Sequence, residues 1–136
     1  MASIYEEIRA TFEVNLNAVV GLPSVAWENV SFNPTTNSPY IKVRMVPSLR
    51  EPAVRGLNPQ MYYQGYFLVE CYVPEGNGPA TGDDLADLIL DAFEATTDLT
   101  NNGTTLCIRY AERDLGIQQG SHYCIPVRIG WYIYSN

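Results

Sequence analysis

The sequence holds one histidine, His122, so any histidine-dependent acid–base or nucleophilic chemistry has a single place to occur. His122 opens an alternating apolar segment between Ser121 and Tyr123, where it reads as a plain surface or strand-edge residue. A zinc site needs several nitrogen or sulfur ligands, and there is neither a second histidine nor a cysteine pair at ligand spacing. Cys71, Cys107 and Cys124 are odd in number, far apart and embedded in apolar runs. They read as reduced, chemically idle core residues of a cytosolic protein. Asp84, Asp87, Asp91 and Glu94 offer hard oxygen ligands, but an acidic flank of an amphipathic helix is ordinarily just solvated. Gly76-Asn77-Gly78 sits where an anion cradle would, yet Asp83 and Asp84 follow and would repel an anion, so it reads as a turn. There is no nucleophile elbow, phosphate loop or dinucleotide fingerprint. The expectation is a protein without catalytic residues, cofactor or metal.

With chemistry set aside, composition points toward interaction. The 136 residues make one domain, 1–136, long enough to bury a core without staples. Hydrophobic residues are 46% of the chain and charged residues only 17%, while tyrosines number ten against four phenylalanines. Tyrosine suits half-wet strand faces and interfaces. Eight cations against fifteen acids leave a net charge of −7, and Lys42 is the only lysine. Tight nucleic-acid binding needs more phosphate-neutralising charge than this, although a lumen through which DNA slides without sticking is compatible with it. No apolar run is long enough to span a membrane. The acidic, amphipathic start reads as neither signal nor transit peptide.

The elements follow from periodicity. Ser3 and Glu6 form a capping-box pattern ahead of Ile4, Ile8, Phe12, Leu16 and Val19, which predicts a first helix stopped by Gly21 and Pro23. Residues 22–39 read as a connection anchored by Trp27. Tyr40 to Val46 alternates as a strand, with Ile41, Val43 and Met45 inward. Residues 61–73 give the longest strand signal. Thr81 is the expected cap of a second helix carrying Leu85, Leu88, Ile89, Ala92 and Phe93. Two more strands follow, 104–113 with Leu106, Ile108 and Tyr110 on one face, and 121–134. The expected fold is α+β, an antiparallel sheet of about four main strands with two helices on one face, in the order α-β-β-α-β-β.

Two features are left as interface candidates. Tyr62, Tyr66 and Tyr72 share the strand face opposite the expected core side. Residues 47–60 read as a long projecting loop, in which Arg50 and Arg55 concentrate positive charge for contact with protein or DNA.

Several segments in order carry a resemblance: Ile4 to Arg9, Val25-Ala26-Trp27-Glu28-Asn29-Val30, Phe32-Asn33-Pro34, Tyr40 to Val43, Tyr66 to Gly76 and Gly116-Ile117-Gln118. In this order and spacing the chain resembles the tail terminators of long-tailed phages over nearly its whole length. The resemblance implies a virion protein of the tail and neck region, assembled in the host cytoplasm. It implies a hexameric ring on the head-proximal end of the tail tube, which stops tube growth and docks head-completion proteins. The implied partners are further copies of the chain, the major tail tube protein and a head-completion or connector protein, with DNA passing through the lumen and no membrane. Another neck component, such as a head-closure protein, is the alternative. A small enzyme or ligand-binding domain using His122 or the acidic helix is a third reading.

Overall fold

The computed structural model describes residues 3–33, 38–54, 56, 60–74, 76 and 80–135. Arg55, half of the charge assigned to the expected loop, lies outside them.

The first helix, α1 (Ile4–Asn17), starts as its sequence dictates. Ser3 Oγ accepts from the Glu6 N–H, and Glu6 Oε2 accepts from the Ser3 N–H, both at 3.2 Å. Ile8, Phe12 and Leu16 are completely buried. The chain then forms a short strand, β1 (Ser24–Ala26), followed by two long ones, β2 (Tyr40–Pro52) and β3 (Met61–Pro74). The second helix, α2 (Ala80–Ala92), leads into β4 (Asp98–Asn101), β5 (Thr104–Arg113), β6 (Ile117–Gln119) and β7 (His122–Ser135).

The α+β expectation of about four strands ordered α-β-β-α-β-β is overturned. Among the described residues the protein is mostly β, with seven strands curled into a half-barrel and two helices. The sheet runs β1-β2-β3-β7-β5-β4, with β6 beside one end of β7. Among the described strands only β1 and β2 pair in parallel. The three extra strands have three or four residues each and lie in stretches rich in Pro, Asn, Gly and Asp. Such stretches advertise turns, and their strands form because long neighbours offer ready backbone partners. Asn102 and Gly103 both have positive φ (48° and 84°) between β4 and β5, the conformation of a tight hairpin turn.

Three further expectations change. The strand β2 runs as far as Pro52 against β3, so the segment expected as a loop from residue 47 begins as strand. The pairing skips Ser48 between Pro47 and Leu49, a bulge that the sequence shows only as a proline in an alternating run. Thr81 lies inside α2 rather than capping it. A bulge at Arg109 turns Tyr110 to the face opposite Leu106 and Ile108, where its ring covers Gly130.

Register explains where the core sits. Ile41, Cys71 and Ile125 lie side by side across β2, β3 and β7, as do Val43, Val69 and Val127, then Met45, Phe67 and Ile129. These rows are buried together with Leu85, Ala86 and Ile89 of α2 and the apolar stripe of α1, so both helices cover the same sheet face. Phe12 stacks on Phe67 with ring centroids 3.8 Å apart and lies 4.8 Å from Phe93. Gly65 is required where β2, β3 and β7 crowd together. A Cβ there would stand 2.5 Å from the Val46 carbonyl oxygen and 2.8 Å from the Trp131 ring.

Candidate interaction surface

The same registers assign the opposite, helix-free face. Its rows are Tyr40, Tyr72 and Cys124; Lys42, Glu70 and Pro126; Arg44, Leu68 and Arg128; and Val46, Tyr66 and Gly130. Beyond the bulge come Leu49, Gln64 and Tyr132, then Glu51, Tyr62 and Tyr134. Tyr62, Tyr66 and Tyr72 do share this face, but they differ in exposure and company.

At the hairpin end, Tyr62 lies 5.0 Å from Tyr134 and 6.1 Å from Tyr132, centroid to centroid, and Tyr132 meets Tyr134 edge-on. Tyr62 Oη donates to Gln64 Oε1 at 2.9 Å, and the Arg109 guanidinium donates to the same oxygen at 2.9 Å. The result is a fixed aromatic patch with a cation at its border. Tyr134 is 50% exposed, and Leu49, two strands away on the same face, is 36% exposed. Tyr132, Tyr134 and Arg109 belong to this patch although the sequence reading did not single them out. The alternation of residues 121–134 already put both tyrosines on the face opposite Trp131. Arg109 gave no signal, because its orientation depends on the bulge.

At the other end Tyr72 is buried, stacked on Tyr40 at 4.6 Å, and its hydroxyl lies 3.3 Å from both Glu70 Oε2 and Gln119 Oε1. Burial, then the nearby Cys124 and Glu70, raise its pKa well above the ordinary tyrosine value. Tyr72 therefore supports the sheet from inside this cluster, whereas Tyr62 and Tyr66 remain half-buried. Arg50 lies apart from all three. Its register partners are Tyr63 and Ile133, which belong to the helix-covered side, and its guanidinium sits 5.8 Å above the Tyr63 ring.

His122 is buried rather than a surface residue, with 8% of its area exposed. Its Nδ1 lies 3.2 Å from Ser121 Oγ, its Nε2 lies 3.4 Å from the Ser38 carbonyl oxygen, and Tyr40 and Tyr72 meet its ring edge-on. The ring fastens the start of β7 to the chain entering β2. Burial raises the Cys71 thiol to about 12 and the Cys124 thiol to about 11, so neither is a thiolate at neutral pH. Cys107 is only partly buried, and its pKa is raised by desolvation and by Asp98. Among the described residues no group of three or more His, Cys, Asp or Glu side chains is placed to hold a metal ion. No helix is long and apolar enough to cross a membrane among those residues.

An open cleft of about 550 Å³ runs between the segment after β1 and the outer edge of β2, lined by Trp27, Phe32, Tyr40, Lys42, Arg44 and Glu70 among others. Glu28 holds this segment in place. Its Oε1 accepts from the Met45 N–H at 3.0 Å and from Arg9 at 3.4 Å, satisfying a backbone donor that β2 turns away from β3. Asn29, at φ 58°, makes the bend that follows. The Trp27-Glu28-Asn29 segment is thus an anchor, a backbone clamp and a bend. In Gly116-Ile117-Gln118 the glycine leaves room for the Tyr123 ring, and β6 follows from Ile117.

A family model described as phage tail terminator protein matches residues 7–131. The chain belongs to the phage tail terminator family. As a member of this structural family it is a bacteriophage virion component. No curated protein matches it. One solved structure, 20% identical, superposes with a TM-score of 0.75 over 95% of this chain and 94% of that one, a likeness of fold. For a terminator-family chain the helix-free aromatic face and the partly covered edge of β2 are the surfaces to account for.

Proposed function

We propose that the chain is a tail terminator that forms a ring on the head-proximal end of the tail tube, stops tube polymerisation and presents a docking surface to the head-completion proteins. The family match over residues 7–131 carries this reading. Further copies of the chain, the major tail tube protein and a connector protein are its partners, and DNA passes through the lumen without specific binding. The acidic chain agrees with weak DNA contact, since −7 offers phosphates little to grip. The Tyr62, Tyr132 and Tyr134 patch is the surface we assign to the tube. It combines a large apolar area with hydroxyls that tolerate water before docking.

The test is phage assembly without the gene. Tubes are expected to overgrow, and purified protein added during assembly should restore tails of uniform length that join heads. Tubes of normal length that merely fail to join heads would instead mark the protein as a head-closure component.

A further inference from the structure

The two outer edges of the sheet are partly covered and differ in charge. At one edge, β1 covers Tyr40 to Lys42 of β2, Glu28 of the following segment caps the Met45 N–H, and beyond it no described strand lies on the outer side of β2. Along this strand stand Lys42 and Arg44 on the helix-free face and Arg50 on the other, three of the eight cations of a chain with net charge −7, against one acid, Glu51. Arg9, Arg113 and Arg128 are engaged in ion pairs, whereas Lys42 and Arg44 are exposed and make none among the described residues. At the opposite edge, β4 pairs with β5 alone among the described strands, and Asn15 of α1 donates to its Thr100 carbonyl oxygen at 3.4 Å. Asp98 opens that strand and Glu94 precedes it, both exposed. Asp98 is the register partner of Cys107, which is paired with Tyr132, so Asp98 projects on the helix-free face, as Lys42 and Arg44 do.

We infer that β2 of one copy docks beside β4 of the next, with Lys42 and Arg44 meeting Asp98 and Glu94. This rests on the ring reading above and names its seam. A net acidic chain repels its own copies unless cations gather where copies meet. A two-fold contact of β2 with β2 would place Lys42 and Arg44 against the same cations of the partner copy. Pairing unlike edges removes that repulsion and is heterologous, the kind of contact that closes rings. It also puts the cations and the acids on one face of a sheet continuing from copy to copy.

The experiment uses the full chain in two variants, K42E/R44E and E94K/D98K. Association is followed by sedimentation velocity over a concentration series at low and high salt, with circular dichroism confirming the fold. Wild-type association should weaken with salt, and each variant alone should associate at least about tenfold more weakly. An equimolar mixture should recover association, because each acidic β2 edge then meets a basic β4 edge. Undiminished association of either variant, or no recovery on mixing, overturns the seam and leaves the ring standing. Wild type that stays monomeric both in concentrated solution and on tails overturns the ring reading itself. If a charge-reversed variant does not fold, K42Q/R44Q and E94Q/D98N take its place. Their association should lose its salt dependence, and unchanged salt dependence overturns the seam.

Discussion

Burial decides the behaviour of the three cysteines. Cys71 is enclosed between the central strands and the helices, and desolvation followed by the neighbouring Cys124 raises it to about 12. Cys124 reaches about 11, chiefly by desolvation and then by the charge of Glu70. Cys107 on β5 is more open. A small alkylating reagent at pH 8 is therefore expected to modify Cys107 first and to reach the other two only in denaturant, as peptide mass mapping would show. Equal labelling of all three in the folded protein would contradict this. The same shifts have a stability consequence. Both folded-state values exceed the ordinary thiol value of 9, so the native state keeps protons that the unfolded chain releases. That stabilising contribution is complete below pH 9 and is lost as pH rises toward about 11 and then about 12. Urea midpoints should fall across this window, and fall less steeply for C71A/C124A, whose starting stability is lower. At the centre of the core, Phe12→Ala removes a ring packed on Phe67 and Phe93, and should cost about 3–5 kcal/mol in a urea titration.

The β2–β3 hairpin shows how one small residue sets an element. Gly65 lets the two strands and Trp131 approach at the bulge, so Gly65→Ala should destabilise the fold by about 1–3 kcal/mol, with a lower thermal midpoint as the readout. A variant as stable as wild type would mean that the backbone at Val46 gives way. Shortening the hairpin must also respect its strands. A deletion from Ser48 would remove paired residues as far as Pro52, whereas one confined to 53–60 spares every registered pair. What was legible in the sequence follows the same logic. The long strands and both helices were readable because their apolar residues recur at three or more regularly spaced positions, as Ile41-Val43-Met45 and Ile8-Phe12-Leu16 do. The strands β1, β4 and β6 are too short for any period, and their pairing is dictated by partners distant in sequence. The tyrosine face was visible as alternation, but the burial of Tyr72 and the opposite placement of Arg50 depend on β6 and on the bulge after Pro47.

At the scale of the whole molecule, one sheet face is spent on the core and the other carries no described helix. The aromatic patch of Tyr62, Tyr132 and Tyr134 lies at the hairpin end of that face, whereas the proposed seam lies along the outer edges. Capping a tube and closing a ring should therefore be separable by mutation. Tyr62 and Tyr134 are only partly buried and pack mainly on each other and on Tyr132, so Y62S/Y134S should fold with a small loss of stability. Its self-association should match that of wild type, because neither Lys42, Arg44, Glu94 nor Asp98 is touched. Its ability to stop tube growth should fall, since aromatic anchors at an interface centre carry a large share of binding energy. Electron micrographs of tails assembled with this variant should show long, uneven tubes, whereas K42E/R44E should fail in self-association as well. Uniform tails of normal length with Y62S/Y134S would move the tube contact elsewhere and leave the aromatic patch for the head-completion proteins.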